Sequence, residues 1–161
     1  MFSSLRVATL GLILAAVIVA IISLPAHASD AVDGTWELNL AKSKFVNVPT
    51  PKSQTRTYEV NGEQEKMIGK GIDAKGNETL FEFTANRDGK DYPYKGSSIY
   101  ESISFTTVDA RTVSYTTKKA GKLVTNGTRA VSADGKEMTI SGKGTDAQGQ
   151  PFEAIMIFDK R

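Results

Sequence analysis

The sequence predicts an all-β fold, an antiparallel up-and-down (meander) β-barrel of about eight to ten strands that follows an N-terminal signal helix. Three observations predict the barrel. From Asp30 onward apolar and polar residues alternate, turn residues recur every ~8–12 positions, and no segment shows a long helical period. Almost all predicted loops are short hairpins, so neighbours in sequence become neighbours in the sheet, and closing the sheet removes its two exposed edges.

The start of the chain has the three parts of a secretory signal. Residues 1–6 carry one positive charge, residues 7–24 are almost entirely apolar, and Pro25 precedes the small-residue cleavage site Ala26-His27-Ala28. We therefore expect a signal peptide over residues 1–28, a barrel domain over residues 29–161, and a periplasmic or secreted protein without a stable membrane span. An uncleaved membrane anchor is the alternative, because the apolar run approaches the ~18 residues that can span a bilayer.

The first half of the domain contains four predicted strands, at residues 35–40, 53–60, 64–72 and 78–86. Between the first two, residues 41–45 are predicted to form a short helical turn and the proline-containing residues 46–52 a loop. Asn61-Gly62 is the strongest hairpin signal, because both central positions of that turn need positive φ. These turns connect strands that are expected to be adjacent.

The second half repeats this pattern with six predicted strands, at residues 91–98, 101–108, 112–119, 122–132, 137–144 and 150–160. Pro93 has no amide hydrogen to donate, so its strand is predicted to lie at an edge or a bulge. Asp134-Gly135 marks the hairpin turn between the predicted strands at residues 122–132 and 137–144. The ten predicted strands are enough to close a small barrel.

Part of the sequence recurs. Residues 55–76 align without gaps onto residues 128–149, so that Thr55-Arg56 matches Thr128-Arg129 and Gly69-Lys70-Gly71 matches Gly142-Lys143-Gly144. Duplication of a three-strand unit and convergent turn chemistry both explain the match. Either explanation supports a pseudo-symmetric barrel, because glycines within strands suit the tight bends that closure needs.

Composition narrows the function by exclusion. The chain has no cysteine, and its one histidine, His27, lies inside the predicted signal. Zinc sites and histidine-assisted nucleophilic catalysis are therefore not expected in the barrel domain. Lysines are interspersed with acids at a net charge of +2, which argues against a nucleic-acid partner. We predict a protein that is not an enzyme and uses no cofactor or metal; calcium at the Asp-rich turns and carboxylate pairs for glycoside hydrolysis remain open.

The first strand begins with Gly34-Thr35-Trp36, and the run continues to Phe45. This start resembles the Gly-x-Trp motif of lipocalins and fatty-acid-binding proteins, the calycin group, and the longer run resembles exported bacterial proteins of lipocalin-like type. The resemblance implies a ligand-carrying barrel with the Trp packed at its closed end. The chain departs from the group in four ways. It lacks a C-terminal helix and a disulfide, and only residues 41–45 are available for the helix pair that follows the first strand in fatty-acid-binding proteins. Its Arg-x-Tyr, Arg56-Thr57-Tyr58, lies on an early strand rather than the last.

Strand parity selects the candidate ligand site, because residues i and i+2 face the same side of a strand. If Trp36 faces inward, Arg56 and Arg129 share the apolar interior with several aromatic residues. We predict that the two arginines converge on an anionic head group, with Tyr58 donating a hydroxyl. The alternative is that one arginine stacks on Trp36 and the other points to solvent. The predicted ligand-binding residues are Trp36, Arg56, Tyr58, Phe81, Phe83, Tyr115, Arg129 and Met156.

Two functions are compatible with these residues. The first is an exported carrier that sequesters a small apolar or amphiphilic molecule. If the two arginines bind a head group, this molecule is anionic. The second is a non-catalytic structural or interaction module of the bacterial envelope with a filled barrel. A void of a few hundred cubic ångströms, on the order of known ligand pockets, favours the carrier, and a solid interior favours the module.

Overall fold

The computed structural model describes residues 30–146 and 148–161, so the predicted signal peptide lies outside the described residues. Within this described part, no helix has the length and apolarity needed to cross a bilayer. The strands are β1 (Gly34–Leu38), β2 (Lys44–Val46), β3 (Ser53–Asn61), β4 (Gln64–Ile72), β5 (Glu78–Asn86), β6 (Tyr92–Lys95), β7 (Ser102–Asp109), β8 (Thr112–Lys119), β9 (Lys122–Val131), β10 (Glu137–Thr145) and β11 (Pro151–Lys160).

Ten of these strands form one closed antiparallel ring. The order is β1-β3-β4-β5-β6-β7-β8-β9-β10-β11, and β1 pairs with β11 to close it. At that closure Trp36 lies opposite Lys160 on one side and opposite Arg56 on the other. The predicted all-β closed barrel is therefore confirmed.

The short strand β2 departs from the predicted meander. It pairs only with β11, where Phe45 lies opposite Ala154, and so continues the line of β1 after a turn. The prediction of a helical turn over residues 41–45 is wrong at its end, because Lys44 and Phe45 are extended. Ser43 makes the interruption possible: its hydroxyl donates to the carbonyl of Asn39 and accepts from the amide of Ile157.

Strand β6 is shorter than the predicted residues 91–98. It has only two paired positions with each neighbour, including Phe83 opposite Tyr94 and Tyr92 opposite Ile103. The prediction that this strand lies at an edge or a bulge is wrong, because β6 pairs with both β5 and β7 without a register shift. Pro93 has no amide hydrogen to donate to the ladder, and the pairing on both sides is short. Residues 96–101 form a loop between β6 and β7 rather than more strand.

The two ends of the barrel differ in how their residues are buried and in which loops they carry. At one end, here called the closed end, Trp36 is fully buried and its indole N–H donates to the carbonyl of Val32 at 2.7 Å. The other end, here called the open end, carries the loops at residues 47–52, 73–77, 96–101 and 120–121, together with residues 146 and 148–150. The buried core extends from the closed end into the barrel.

The two halves of the sequence repeat do not have the same register. In the β3–β4 hairpin Arg56 lies opposite Gly69, whereas in the β9–β10 hairpin Arg129 lies opposite Ile140 rather than Gly142. The register differs because β3 and β4 are joined by a two-residue turn, and β9 and β10 by a longer one. The pseudo-symmetry expected from the repeat is therefore not seen in the strand pairing.

Candidate functional site

The barrel interior holds a cavity of about 50 Å³. Polar groups from β3, β8 and β9 and aromatic rings from β5 to β8 surround it. The lining residues are Arg56, Tyr58, Phe83, Tyr94, Tyr100, Ile103, Phe105, Tyr115, Thr117, Arg129, Ile140 and Met156. Such a volume has room for a few water molecules and is far below the ~300–1,000 Å³ of typical ligand pockets.

Arg129 is neutralised by a buried carboxylate. Its guanidinium donates two hydrogen bonds to Glu65, at 2.6 and 2.7 Å, and both residues are almost fully buried. The guanidinium also lies between the rings of Tyr58 and Phe105, 4.9 and 5.3 Å from their centroids. Because this arginine is already paired, the predicted convergence of Arg56 and Arg129 on one anion is not what the geometry shows.

Glu65 continues an ion-pair chain toward the closed end. It also accepts a hydrogen bond from Arg87 at 2.8 Å, and Arg87 donates to both oxygens of Asp30. Glu65 is an acidic residue on an apolar face, because it shares its face of β4 with the buried Met67. The two residues are two positions apart on one strand, so parity already placed them together.

The ion-pair chain shifts the titration of its carboxyl groups. Burial acts to raise the pKa of Glu65, but the hydrogen bonds and positive charges of Arg129 and Arg87 outweigh burial and hold it below its ordinary 4.5. In Asp30, burial is likewise outweighed by the hydrogen bond from Arg87, and the pKa falls below 3.8. The ionised forms are therefore the ones that stabilise the fold.

We expect the barrel to lose stability in acid through this chain. A folded-state pKa below the unfolded value gives stability that is present above about pH 4.5 and is lost as pH falls through the folded pKa. The free energy of unfolding in urea, measured from pH 7 to pH 2, should fall below about pH 4.5. The stability difference between the parent and Glu65→Gln should narrow over the same range; a constant difference would contradict the assignment.

Arg56 lies inside the barrel without a comparable partner. Its Nε donates to the side-chain oxygen of Gln54 at 2.9 Å, and its guanidinium lies 5.4 and 5.3 Å from the ring centroids of Phe81 and Phe158. Among the described residues, no carboxylate lies within 4.0 Å of it. The side chain is only partly exposed, so water compensates its charge incompletely.

Tyrosine hydroxyls surround this cation. Tyr94 and Tyr100 pack edge to face, with ring centroids 4.9 Å apart, and Tyr115 lies on the neighbouring wall. Burial raises the pKa of Tyr94, Tyr100 and Tyr115, so that all three remain protonated in any physiological buffer. Protonated phenols can donate hydrogen bonds to a ligand oxygen.

Thr117 supplies a further polar atom to the cavity. The residue is 3% exposed, and its hydroxyl has no hydrogen-bond partner among the described residues. A buried hydroxyl without a partner costs free energy, so such groups normally bond to water or a ligand. The cavity lining therefore includes one unsatisfied hydroxyl, four phenols and two guanidinium groups, of which that of Arg129 is already paired with Glu65.

Six of the eight predicted ligand residues line the cavity, and their role in binding stays a prediction. The other two do not reach it. Trp36 lies at the closed end, where Lys160 rather than an arginine lies over its ring, 5.0 Å from the centroid. Phe81 packs on Gly69, whose missing side chain leaves room for its ring. The lining residues that sequence reasoning missed are Tyr94, Tyr100, Ile103, Phe105, Thr117 and Ile140.

The comparisons with known proteins concern the fold. No protein-family model matches the sequence, and no curated protein matches it. The chain is similar to a zebrafish ileal bile acid-binding protein complexed with cholic acid, with a TM-score of 0.52 and 12% identity over 81% of this chain and 99% of that one. It also matches the redesigned β-barrel mFAP1 bound to DFHBI, with a TM-score of 0.47 and 12% identity over 83% and 100%. At this identity the likeness shows the barrel fold alone.

Proposed function

We propose that this barrel is a non-catalytic carrier that binds a small amphiphilic molecule inside, with the ligand's anionic group against Arg56. The observation that carries the proposal is the contrast between the two interior arginines. Arg129 is neutralised by Glu65 at 2.6 Å, whereas Arg56 forms no ion pair among the described residues and donates to the neutral amide of Gln54. A positive charge held in an apolar interior without a counter-charge is unfavourable unless an anion joins it.

The surrounding groups fit a carboxylate or a similar oxyanion. The guanidinium can donate two parallel hydrogen bonds to such a group, and the phenols and the Thr117 hydroxyl can donate more. On the other walls, Phe83, Ile103 and Met156 offer apolar surface to the rest of an amphiphile. Catalysis is not proposed, because the buried carboxylate of Glu65 is fully engaged by Arg129 and Arg87.

Binding requires the interior to open, because about 50 Å³ does not hold an amphiphile. Tyr100 lies on the 96–101 loop and closes the cavity against Tyr94. The loop follows β6, which has few ladder pairs, so this wall is the least restrained part of the ring. We propose that the ligand displaces Tyr100 outward, and that the protein carries it in the periplasm or outside the cell.

The expected result for Arg56→Met is a loss of affinity for carboxylate ligands of about 10- to 100-fold, because a hydrogen bond to a charged group contributes ~1.5–3 kcal/mol. Calorimetric titration with a medium-chain fatty acid and with cholic acid measures the change; cholic acid is a reasonable first probe because the zebrafish barrel was solved with it. Arg161→Met is the matched control, since Arg161 is exposed and pairs with Glu37.

Two results would contradict this assignment. One is binding of a fatty acid that is equally tight in the parent and in Arg56→Met. The other is the absence of binding by the parent protein to every anion tried. Near-ultraviolet circular dichroism of the tyrosines confirms that each variant keeps the packed interior.

A second candidate function is an interaction module with a filled barrel, and the small cavity favours it. In that case Arg56 is part of the packing, held between Phe81 and Phe158. Native mass spectrometry of protein purified from its own host separates the two functions. A co-purifying small molecule supports the carrier. A measured mass equal to that of the polypeptide alone supports the module.

A further inference from the structure

The charges of the barrel are divided between its two ends. The open-end loops and the strand residues beside them carry nine lysines and five acidic residues, over residues 44–54, 69–80, 94–103, 116–125 and 143–153. The rest of the described chain carries ten basic and thirteen acidic residues. Two of the open-end lysines, Lys95 and Lys118, pair with Glu82 and Asp91 outside these ranges, so the open end keeps an excess of about two positive charges.

Exposed apolar side chains lie at the same end. The described residues include five large hydrophobic side chains that are exposed, and three of them, Leu80, Ile99 and Leu123, flank open-end loops, each more than half exposed. A depression of about 560 Å³ at the open end is lined by Leu123 and Phe152, among other residues. Exposed apolar groups that cluster in this way indicate an interaction surface.

The lysines and apolar residues form one continuous rim. The 96–101 loop, which carries Ile99, runs from the backbone of Leu80 to the β8–β9 turn. There Lys119 donates to the carbonyl of Ser98, and the amide of Ala120 donates to Glu101. Lys122 and Leu123 follow directly on β9. We call Leu80, Ile99, Lys119, Lys122 and Leu123 the open rim.

We propose that the open rim docks on anionic lipid bilayers. Lysines near a membrane are attracted by its negative surface potential, and apolar side chains beside them can enter the boundary between head groups and acyl chains. An acidic polymer would use the lysines but leave Leu80, Ile99 and Leu123 without a partner. The combination of charge and apolar surface therefore favours a lipid surface, independently of what the interior binds.

The test is co-sedimentation with vesicles, with protein expressed from the full chain and recovered from the exported fraction. We expect binding to vesicles that contain phosphatidylglycerol, little binding to pure phosphatidylcholine, and weakening as salt rises. Lys119→Glu with Lys122→Glu should lower the partition coefficient at least about tenfold. Lys90→Glu with Lys136→Glu, the same charge change at the closed end, should leave it within about twofold.

A second variant tests the apolar contribution. Leu123→Ser should reduce the binding to phosphatidylglycerol vesicles that remains at high salt, because salt does not screen the insertion of an apolar side chain into the bilayer. Equal loss in the open-rim and closed-end variants would overturn the proposal, because it would show attraction by net charge alone. Binding to dextran sulfate without binding to vesicles would overturn it in favour of an acidic polymer. None of these variants alters Arg56, so the interior ligand site is tested separately.

Discussion

Replacing Glu65 by alanine is expected to lower the free energy of unfolding by about 3–5 kcal/mol. The substitution leaves Arg129 charged and almost fully buried, since its two hydrogen bonds at 2.6 and 2.7 Å both go to this carboxylate. An arginine cannot escape this cost by losing its proton. A domain of this size has a total stability of roughly 5–15 kcal/mol, so the variant should be close to unfolding. Urea denaturation at pH 7 measures the loss.

A double variant distinguishes the destabilisation caused by an unpaired buried charge from the destabilisation caused by lost packing. Replacing both partners, Glu65→Leu with Arg129→Met, removes the charge together with its counter-charge and should recover a large part of the stability. Glu59→Ala is the control, because Glu59 is an exposed residue of the same hairpin whose ion pair with Lys66 spans 3.9 Å. Its denaturation midpoint should stay near that of the parent. A Glu65→Ala variant as stable as this control would show that Arg129 does not need its partner.

Local sequence signals predicted most of the fold. Strands β4, β5 and β8 have the bounds that alternation and turn residues predicted. The turn before β4 lies one position later than predicted, because Asn61 is still part of β3 and positive φ is found at Gly62 but not at Asn61. The larger errors in the predicted strand bounds are confined to two segments. Residues 91–98 alternate too weakly to show where pairing stops. The interruption of the first strand at Ser43 depends on a hydrogen bond from Ile157, which is distant in sequence.

The candidate site was predictable only in part. Parity placed Arg56, Tyr58 and Arg129 inside, and the same argument places Glu65 there, since it lies opposite Val60 in the same hairpin. Parity could not show which arginine Glu65 reaches, because Glu65 and Arg129 lie 64 residues apart on different hairpins. Tyr100 is on a loop, where no alternation applies. The volume of the cavity depends on how all the side chains pack together, and no local pattern encodes it.

Trp36→Ala is the second substitution for which we expect a large effect, a loss of about 3–5 kcal/mol. The indole is fully buried and fills the closed end, and its N–H satisfies the carbonyl of Val32 at 2.7 Å. Trp36 also lies in the β1–β11 ladder, opposite Lys160, where the ring closes. Removing the side chain therefore leaves a cavity beside the three ladder pairs that hold β1 to β11.

The position of Trp36 also predicts where the barrel opens first. In Trp36→Ala, hydrogen exchange should accelerate in the amides of β1 and in the end of β11 around Phe158, while the β4–β5 ladder, with nine paired positions, exchanges only as fast as global unfolding allows. Trp36→Phe should lose less stability, because it keeps most of the apolar volume and gives up mainly the hydrogen bond to Val32. Leu80→Ala, on the exposed outer face of β5, is the control and should change neither stability nor exchange. Uniform acceleration of exchange across all strands would mean that the ring unfolds as one unit and that the loss of the indole does not open the β1–β11 pairing locally.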